Sequence, residues 1–227
     1  MIQKNKLLKK YSGSSPIFPL PNIVMFPTVG NEFYIFEPRY KEMVENVMES
    51  EKFITMTLLK PNWEDNYDNS PEIYSIGTLC YLTNFENQKD GNFKIVLFGI
   101  DKVKINETEQ TKNYRIAATT STNEIIATVD EKEKCKTLMN RFTNLLDHLD
   151  ETISLNLFSD MEISLEMLVN LISMAMNIPI EEKQKLLELP EIGLRYEILL
   201  HFIDNEISIN KEVLDYIPIF PIDGSIN

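Results

Sequence analysis

Two hydrophobic periods divide the chain. Up to about Asn123 apolar residues alternate or cluster in short runs, the mark of strands; after Asp130 they recur every three or four residues, the mark of helices. The first run, residues 15–27 (SPIFPLPNIVMFP), is apolar but punctuated by Pro19, Pro21 and Pro27. Proline has no N–H, so this stretch cannot be a fully paired central strand and belongs at a sheet edge or a seam. Phe33 to Phe36 continues as strand. Pro38 then opens a helix over 38–50, with Tyr40, Met43, Val44, Val47 and Met48 at helical spacing. Strands follow over 53–59, 74–85, 92–105 and 114–119. Lys89-Asp90-Gly91-Asn92 turns one hairpin, since Asp-Gly tolerates positive φ. In that hairpin Phe93, Ile95 and Leu97 face one way and Val96, Phe98 and Ile100 the other, which predicts burial on both faces. Strands, tight turns and one short helix point to a small closed or nearly closed barrel.

Four helices are expected in the second half, over 131–149, 160–177, 180–189 and 191–206, with Pro179 and Pro190 as punctuation. Their predicted buried stripes include Leu138, Phe142 and Leu145 on the first, Leu165, Leu168, Val169 and Ile172 on the second, and Leu194, Ile198, Phe202 and Ile203 on the last. The fold class is therefore α+β, a barrel followed by a helical bundle. The expected segments are a basic tail over 1–14, a barrel over 15–123, a bundle over 124–208 and an extended apolar tail over 209–227. Pro-Ile-Phe-Pro in that last tail echoes residues 16–19. Self-packing is its default, with exchange between subunits as a route to self-association.

Composition adds few restrictions. Seven glycines speak against a Gly-rich nucleotide loop, and Cys80 and Cys135 are too few for a disulfide framework and suit a reducing cytosol. Residues 1–10 carry four lysines but no apolar run of signal-peptide length, and no membrane-length apolar window exists, so a cytoplasmic location is expected. Residues 124–215 hold nineteen acidic and eight basic side chains, −11 of the net −13. That half is a poor match for a phosphate backbone.

Candidate chemistry is sparse. No G-x-x-x-x-G-K-[ST] loop occurs. His148 and His201 have no cysteine or second histidine at a ligand spacing, so no metal and no cofactor are expected. Cys135 and His148 lie thirteen residues apart on one predicted helix, about 20 Å, too far for a nucleophile–base contact. Glu37 and Arg39 flank Pro38 and read as helix-start and junction residues. The loop 61–71 (PNWEDNYDNSP) differs, because it carries Trp63 and Tyr67 among turn-forming residues. Large aromatics on a loop are candidates for a binding surface, with packing of both rings back over the barrel as the alternative. The candidate peptide-binding residues are Trp63, Tyr67, Phe26 and Pro27.

Several stretches resemble the N-terminal, substrate-binding domain of the Lon family of ATP-dependent proteases. Phe18-Pro19-Leu20 with Ile23-Val24-Met25-Phe26-Pro27 is similar to its (I/V)-P-L-x-x-V-V-x-F-P pattern, and Phe36-Glu37-Pro38-Arg39-Tyr40 resembles free-standing members. Ile76-Gly77-Thr78 and Val96 to Ile100 sit where the family has V-G-T and V-x-G. Met174 to Glu188, and Leu194-Arg195-Tyr196 beyond it, resemble its helical segment, so the likeness runs from about Pro16 to Ser208. The resemblance implies a PUA-like β barrel joined to a helical bundle. It implies a non-catalytic module for unfolded or degron-bearing polypeptides, with a separate protease as a further partner. A chain this short leaves no room for the family's ATPase and protease modules. Pro19, Glu37, Pro38, Arg39 and Tyr40 are expected as structural motif residues. An RNA-binding role is the alternative from PUA-like barrels elsewhere, opposed by the acidic balance, and an undetected small enzyme is the third.

Overall fold

The computed structural model describes residues 4–65, 70–108, 112–126, 129–148 and 163–209. The described residues form two compact units that divide after Thr122. Tyr67, Met161 and the tail beyond Ile209 lie outside the described residues, as does the His148 side chain.

The first unit holds α1 (Lys4–Leu8), β1 (Ser14–Leu20), β2 (Gly30–Ile35), α2 (Pro38–Met48), β3 (Phe53–Leu58), β4 (Ile76–Asn87), β5 (Phe93–Glu107) and β6 (Ile116–Ser121). The sheet is mixed, in the order β2-β5-β4-β3-β1-β6, and β6 also pairs with β5, so the ladder returns on itself. β2 joins only β5, antiparallel, from Gly30 opposite Phe98 to Ile35 opposite Phe93. Only β1 and β3 run parallel.

The prolines explain the seam. β1 pairs with β6 over Ser14–Pro16 and with β3 over Ile17–Leu20, changing partner midway. It ends at Leu20. Residues 21–29 are irregular yet core-filling, which corrects the reading of 15–27 as one strand: Val24, Met25 and Phe26 are buried without belonging to the ladder. Phe26 lies against β5 at Gly99, where a Cβ would stand 2.2 Å from the Phe26 carbonyl oxygen. A Cβ at Gly77 would stand 2.3 Å from the Met56 oxygen. Both glycines are thus sites of close backbone approach, which fits their place in strand motifs.

Two apolar layers cover the two sheet faces. One gathers Ile17, Phe53, Leu79, Ile100, Val103 and Ala117, with Leu7, Leu8 and Tyr11 packed against it. Its polar members are paired, Ser15 with Thr55 at 2.6 Å and the Tyr11 hydroxyl with Thr119 at 2.7 Å. Residues 4–11 are therefore no tail; they form a short helix and turn whose apolar side chains finish this core. On the other face Phe18 meets Phe33 and Tyr40 at ring distances of 5.7 and 4.7 Å, and Met43, Val44 and Val47 of α2 are buried. Each such aliphatic or aromatic side chain contributes roughly 1.5–3 kcal/mol. β5 departs from the expected burial on both faces. Val96 and Phe98 are only half-buried, and a register shift between Leu79 and Cys80 leaves Ile100 as an extra residue. That bulge lets Phe98, Ile100, Val103 and Ile105 share one layer despite their mixed parity.

The second unit contains α3 (Glu131–His148), α4 (Leu165–Ala175), α5 (Ile180–Glu188) and α6 (Ile192–Ile209). The Ser164 side chain caps α4 by accepting from the Met167 N–H at 3.2 Å. Nine of the eleven α4 residues are buried, so α4 is the central helix. On α6 the predicted stripe is rotated. Leu194 and Ile198 are 45% and 40% exposed, and the buried side is Ile192, Arg195, Tyr196, Leu199 and Ile203. An arginine in the core is what periodicity could not supply. Its Nε donates to the Leu186 carbonyl at 2.7 Å, Nη1 to Asn170 Oδ1, and Nη2 to Glu124 at 2.5 Å. Desolvation lowers its pKa, while Glu124 opposes that shift. Ile125 is strapped to the same unit by backbone bonds with Pro190 and Ile192.

Candidate functional site

The elements that end around the second half of β1 leave a small cleft in the first unit, of about 70 Å³. Ile17 and Pro19 form its floor, Arg39 and Tyr40 enter from the start of α2, Leu59 follows β3, and Ser70, Pro71 and residues 113–115 close the sides. Two loops are drawn to it by identifiable bonds. The base of the 60–72 loop is fastened where Leu59 bridges Ile73, the Lys60 N–H donates to the Glu72 carbonyl at 2.8 Å, and the Lys60 and Glu72 side chains pair at 2.9 Å. That pair raises the Lys60 pKa and lowers that of Glu72. The 112–115 segment is tied to α2, with Asn113 donating to Glu42 at 2.6 Å and Asn46 to the Tyr114 hydroxyl at 3.0 Å. Arg115 ties the two loops together by donating to the Pro71 carbonyl at 2.8 Å.

The cleft carries two guanidinium groups, both neutralised locally. Arg39 pairs with Glu37 at 2.9 Å and lies 4.7 Å from the centre of the Tyr40 ring. Arg115 is gripped by Glu107 through two bonds, at 2.7 and 2.5 Å. What faces the opening is aliphatic and aromatic carbon together with a nearly equal share of polar atoms, the two guanidinium groups among them already paired. A volume of 70 Å³ is far below the roughly 300–1,000 Å³ of a small-molecule or cofactor pocket. It holds one small side chain.

Backbone geometry at the cleft decides how a peptide could use it. The Ile17 N–H donates to the Arg115 carbonyl at 2.8 Å, while the Leu20 carbonyl accepts from Leu59 on the opposite side at 3.0 Å. Strand alternation turns Pro19 toward the same side as Ile17, and Pro19 has no N–H. This edge therefore has no donor to extend a ladder.

The residues singled out in the sequence are scattered. Phe26 and Pro27 are buried, Phe26 completely, because their segment fills the space over Gly99; they are wall rather than contact surface. Trp63 is half-buried in a short helical turn of the 61–71 loop, so it is not brought together with Phe26 or Pro27 at an open surface. Pro19, Arg39 and Tyr40, expected only to hold the fold, do line the cleft. Asn113, Tyr114 and Arg115 went unnoticed, and no motif in the sequence could have found them. Cys80 is fully buried, and burial pushes its thiol pKa far up. Cys135 is half-buried and His201 exposed beside Asn205, so neither joins a site. Among the described residues no His/Cys/Asp/Glu group could hold a metal ion, and no helix is long and apolar enough to cross a membrane.

Comparison with known proteins supplies the remaining finding. Residues 14–205 match the family model of the ATP-dependent protease La (LON) substrate-binding domain. A Lon protease of Azorhizobium caulinodans is 23% identical over 211 residues, covering 91% of this chain and 24% of its own length. Lon protease 1 of Bdellovibrio bacteriovorus is 24% identical over 185 residues, 79% of this chain and 23% of its own. The chain thus spans about a quarter of the length of the curated relatives it matches. In fold it is similar to the N-terminal domain of Mycobacterium avium complex Lon protease, with a TM-score of 0.64 at 14% identity over 85% of this chain and 98% of that one. The Lon N-terminal domain protein from Xanthomonas campestris gives 0.58 at 17% identity, over 83% and 98%.

Proposed function

The chain belongs to the family of Lon substrate-binding domains, and from that premise we propose that it recognises unfolded or degron-bearing polypeptides without acting chemically on them. We read the returning ladder of strands as the PUA-like barrel and the helices as its bundle, with a separate protease as the recipient of what the module binds. The observation that carries this reading is the cleft at β1. It is too small for a cofactor, and its mixed apolar and polar lining with charge-paired arginines suits one small side chain of an extended peptide. Trp63, on the neighbouring loop, is the candidate for a second contact. One well-buried anchor is worth about 2 kcal/mol, or ~30-fold in affinity.

The test is the anisotropy of a fluorescent, reduced and alkylated polypeptide titrated with the full chain. Asn113→Trp should fill the cleft and weaken binding at least ~tenfold, whereas Asn113→Ala, which loses only the bond to Glu42, should stay within about twofold. Trp63→Ala should weaken binding while leaving the unfolding midpoint in place. Wild-type affinity in Asn113→Trp would remove the cleft from the site.

A further inference from the structure

The outer side of β2 points to a second contact surface, distinct from the cleft. At β2 the Gly99 N–H donates to the Val29 carbonyl at 2.9 Å, and the Gly99 carbonyl accepts from Thr28 at 2.8 Å. Counting from that pair, Asn31, Phe33 and Ile35 turn their N–H and C=O groups toward β5, and Glu32 and Tyr34 turn theirs away. Among the described residues no strand pairs with β2 on that side. Gly30–Ile35 contains neither proline nor lysine, the usual guards of an open edge. β1 has such a guard in Pro19; β2 has a single charge, Glu32, which is paired within the sheet by Lys94.

The side chains beside the open edge are suited to contact. Tyr34 and Phe36 are 50% and 62% exposed. The Tyr34 ring is fixed in place, its hydroxyl donating to Asp90 and accepting from Asn92 Nδ2 at 3.0 Å. Glu32 is occupied by Lys94 at 2.8 Å, so it does not repel an incoming chain as a lone carboxylate would. The surrounding charges, Glu32, Glu86 and Asp90 against Lys89 and Lys94, leave one carboxylate in excess.

We propose that the open edge of β2 binds an extended, neutral-to-basic segment of client polypeptide as an added strand, with its apolar side chains on Tyr34 and Phe36. The inference rests on the polypeptide-recognition reading above and names the mode of contact. Main-chain bonds to Glu32 and Tyr34 would supply affinity independent of client sequence. Alternate side chains against the two rings would supply a preference for aromatic and β-branched residues.

Proline substitutions at outward-facing positions remove edge donors and leave the β2–β5 ladder whole, and alanine at the same positions removes the side chain alone. Tyr34→Pro and Glu32→Pro, with Tyr34→Ala and Glu32→Ala as the controls that keep the N–H, are titrated against the same reduced and alkylated polypeptide. In parallel, amide exchange at Glu32 and Tyr34 is followed by NMR in the wild-type full chain. The expected result is at least ~tenfold weaker binding for Tyr34→Pro, a smaller loss for Glu32→Pro, and near-wild-type binding for Glu32→Ala. The two amides should gain protection only when the polypeptide is present. Wild-type affinity in both proline variants, with both amides still exchanging in the complex, overturns strand addition while polypeptide recognition stands. If the wild-type chain binds no unfolded polypeptide, both fall together. Protection of the same amides without client, in a sample that sediments as a dimer, makes a second copy the occupant and overturns the client assignment.

Discussion

In the strand unit the buried polar and charged groups are spread over several places: Ser15 pairs with Thr55, Thr78 with the Met25 carbonyl, Asp101 with Lys4 at 2.7 Å, and Lys102 is buried as well. In the helical unit a whole guanidinium is buried, and its partners come from Glu124, from Asn170 on α4 and from the carbonyls ending α5. The consequence is a difference in redundancy. The sheet is held by many ladders and two apolar layers, so its edges can be spared for contact. The helices converge on one side chain, which cannot be spared. A buried ion pair adds little net stability while intact, but removing one partner strands the other charge. The contrast teaches that the strand unit distributes its buried polar and charged groups, whereas the helical unit gathers its bonds on one guanidinium.

The sharpest way to break the contrast is Glu124→Ala. It leaves Arg195 buried without its counter-charge and should cost about 3–5 kcal/mol, with hydrogen exchange accelerating in α4–α6 and not in β3–β5. Equal acceleration in both units would refute the separation. Gly99→Ala strikes the strand unit instead. Its Cβ would enter the Phe26 carbonyl, so the 26–29 segment must move, at a cost of roughly 1–3 kcal/mol confined to that unit. The smallest effect is a pH dependence. Burial holds the Cys80 thiol pKa above its unfolded value of about 8.5, so the folded state keeps a proton that the unfolded state loses. Stability should be undiminished below that pH and decline as pH rises above it. Tyr11, also raised by burial, adds to the decline above about pH 10. Thermal unfolding midpoints of wild type and Cys80→Ala between pH 7 and 10.5 would check this, the variant showing the flatter slope.

Much of this architecture is legible in the chain, and the failures have physical reasons. Strand and helix order follow from period, and the hairpin turn from Asp90-Gly91. The prolines signal the seam at β1, because a missing N–H is local chemistry. Arg195 escaped because periodicity sorts residues by polarity, and only tertiary partners make a buried guanidinium tolerable. Leu194 and Ile198 are the mirror image, apolar by type yet exposed on α6 because Arg195 and its neighbours take the buried side. Phe26 and Pro27 read as contact surface because prolines mark a strand edge, although close approach to Gly99 makes their segment core. The cleft joins five separate stretches, of which Pro19, Arg39 and Tyr40 stand in recognisable sequence motifs. The open edge of β2 depends on pairing, which no strand reveals by itself.

The central claim is that polypeptide contact belongs to the strand unit. Hydrogen exchange of the full chain, read by mass spectrometry with and without a saturating reduced and alkylated polypeptide, tests it most directly. The account predicts protection in peptides covering 30–36, 70–73 and 112–115, with α4–α6 unchanged. Protection confined to the helical unit, or none anywhere at saturation, would contradict it.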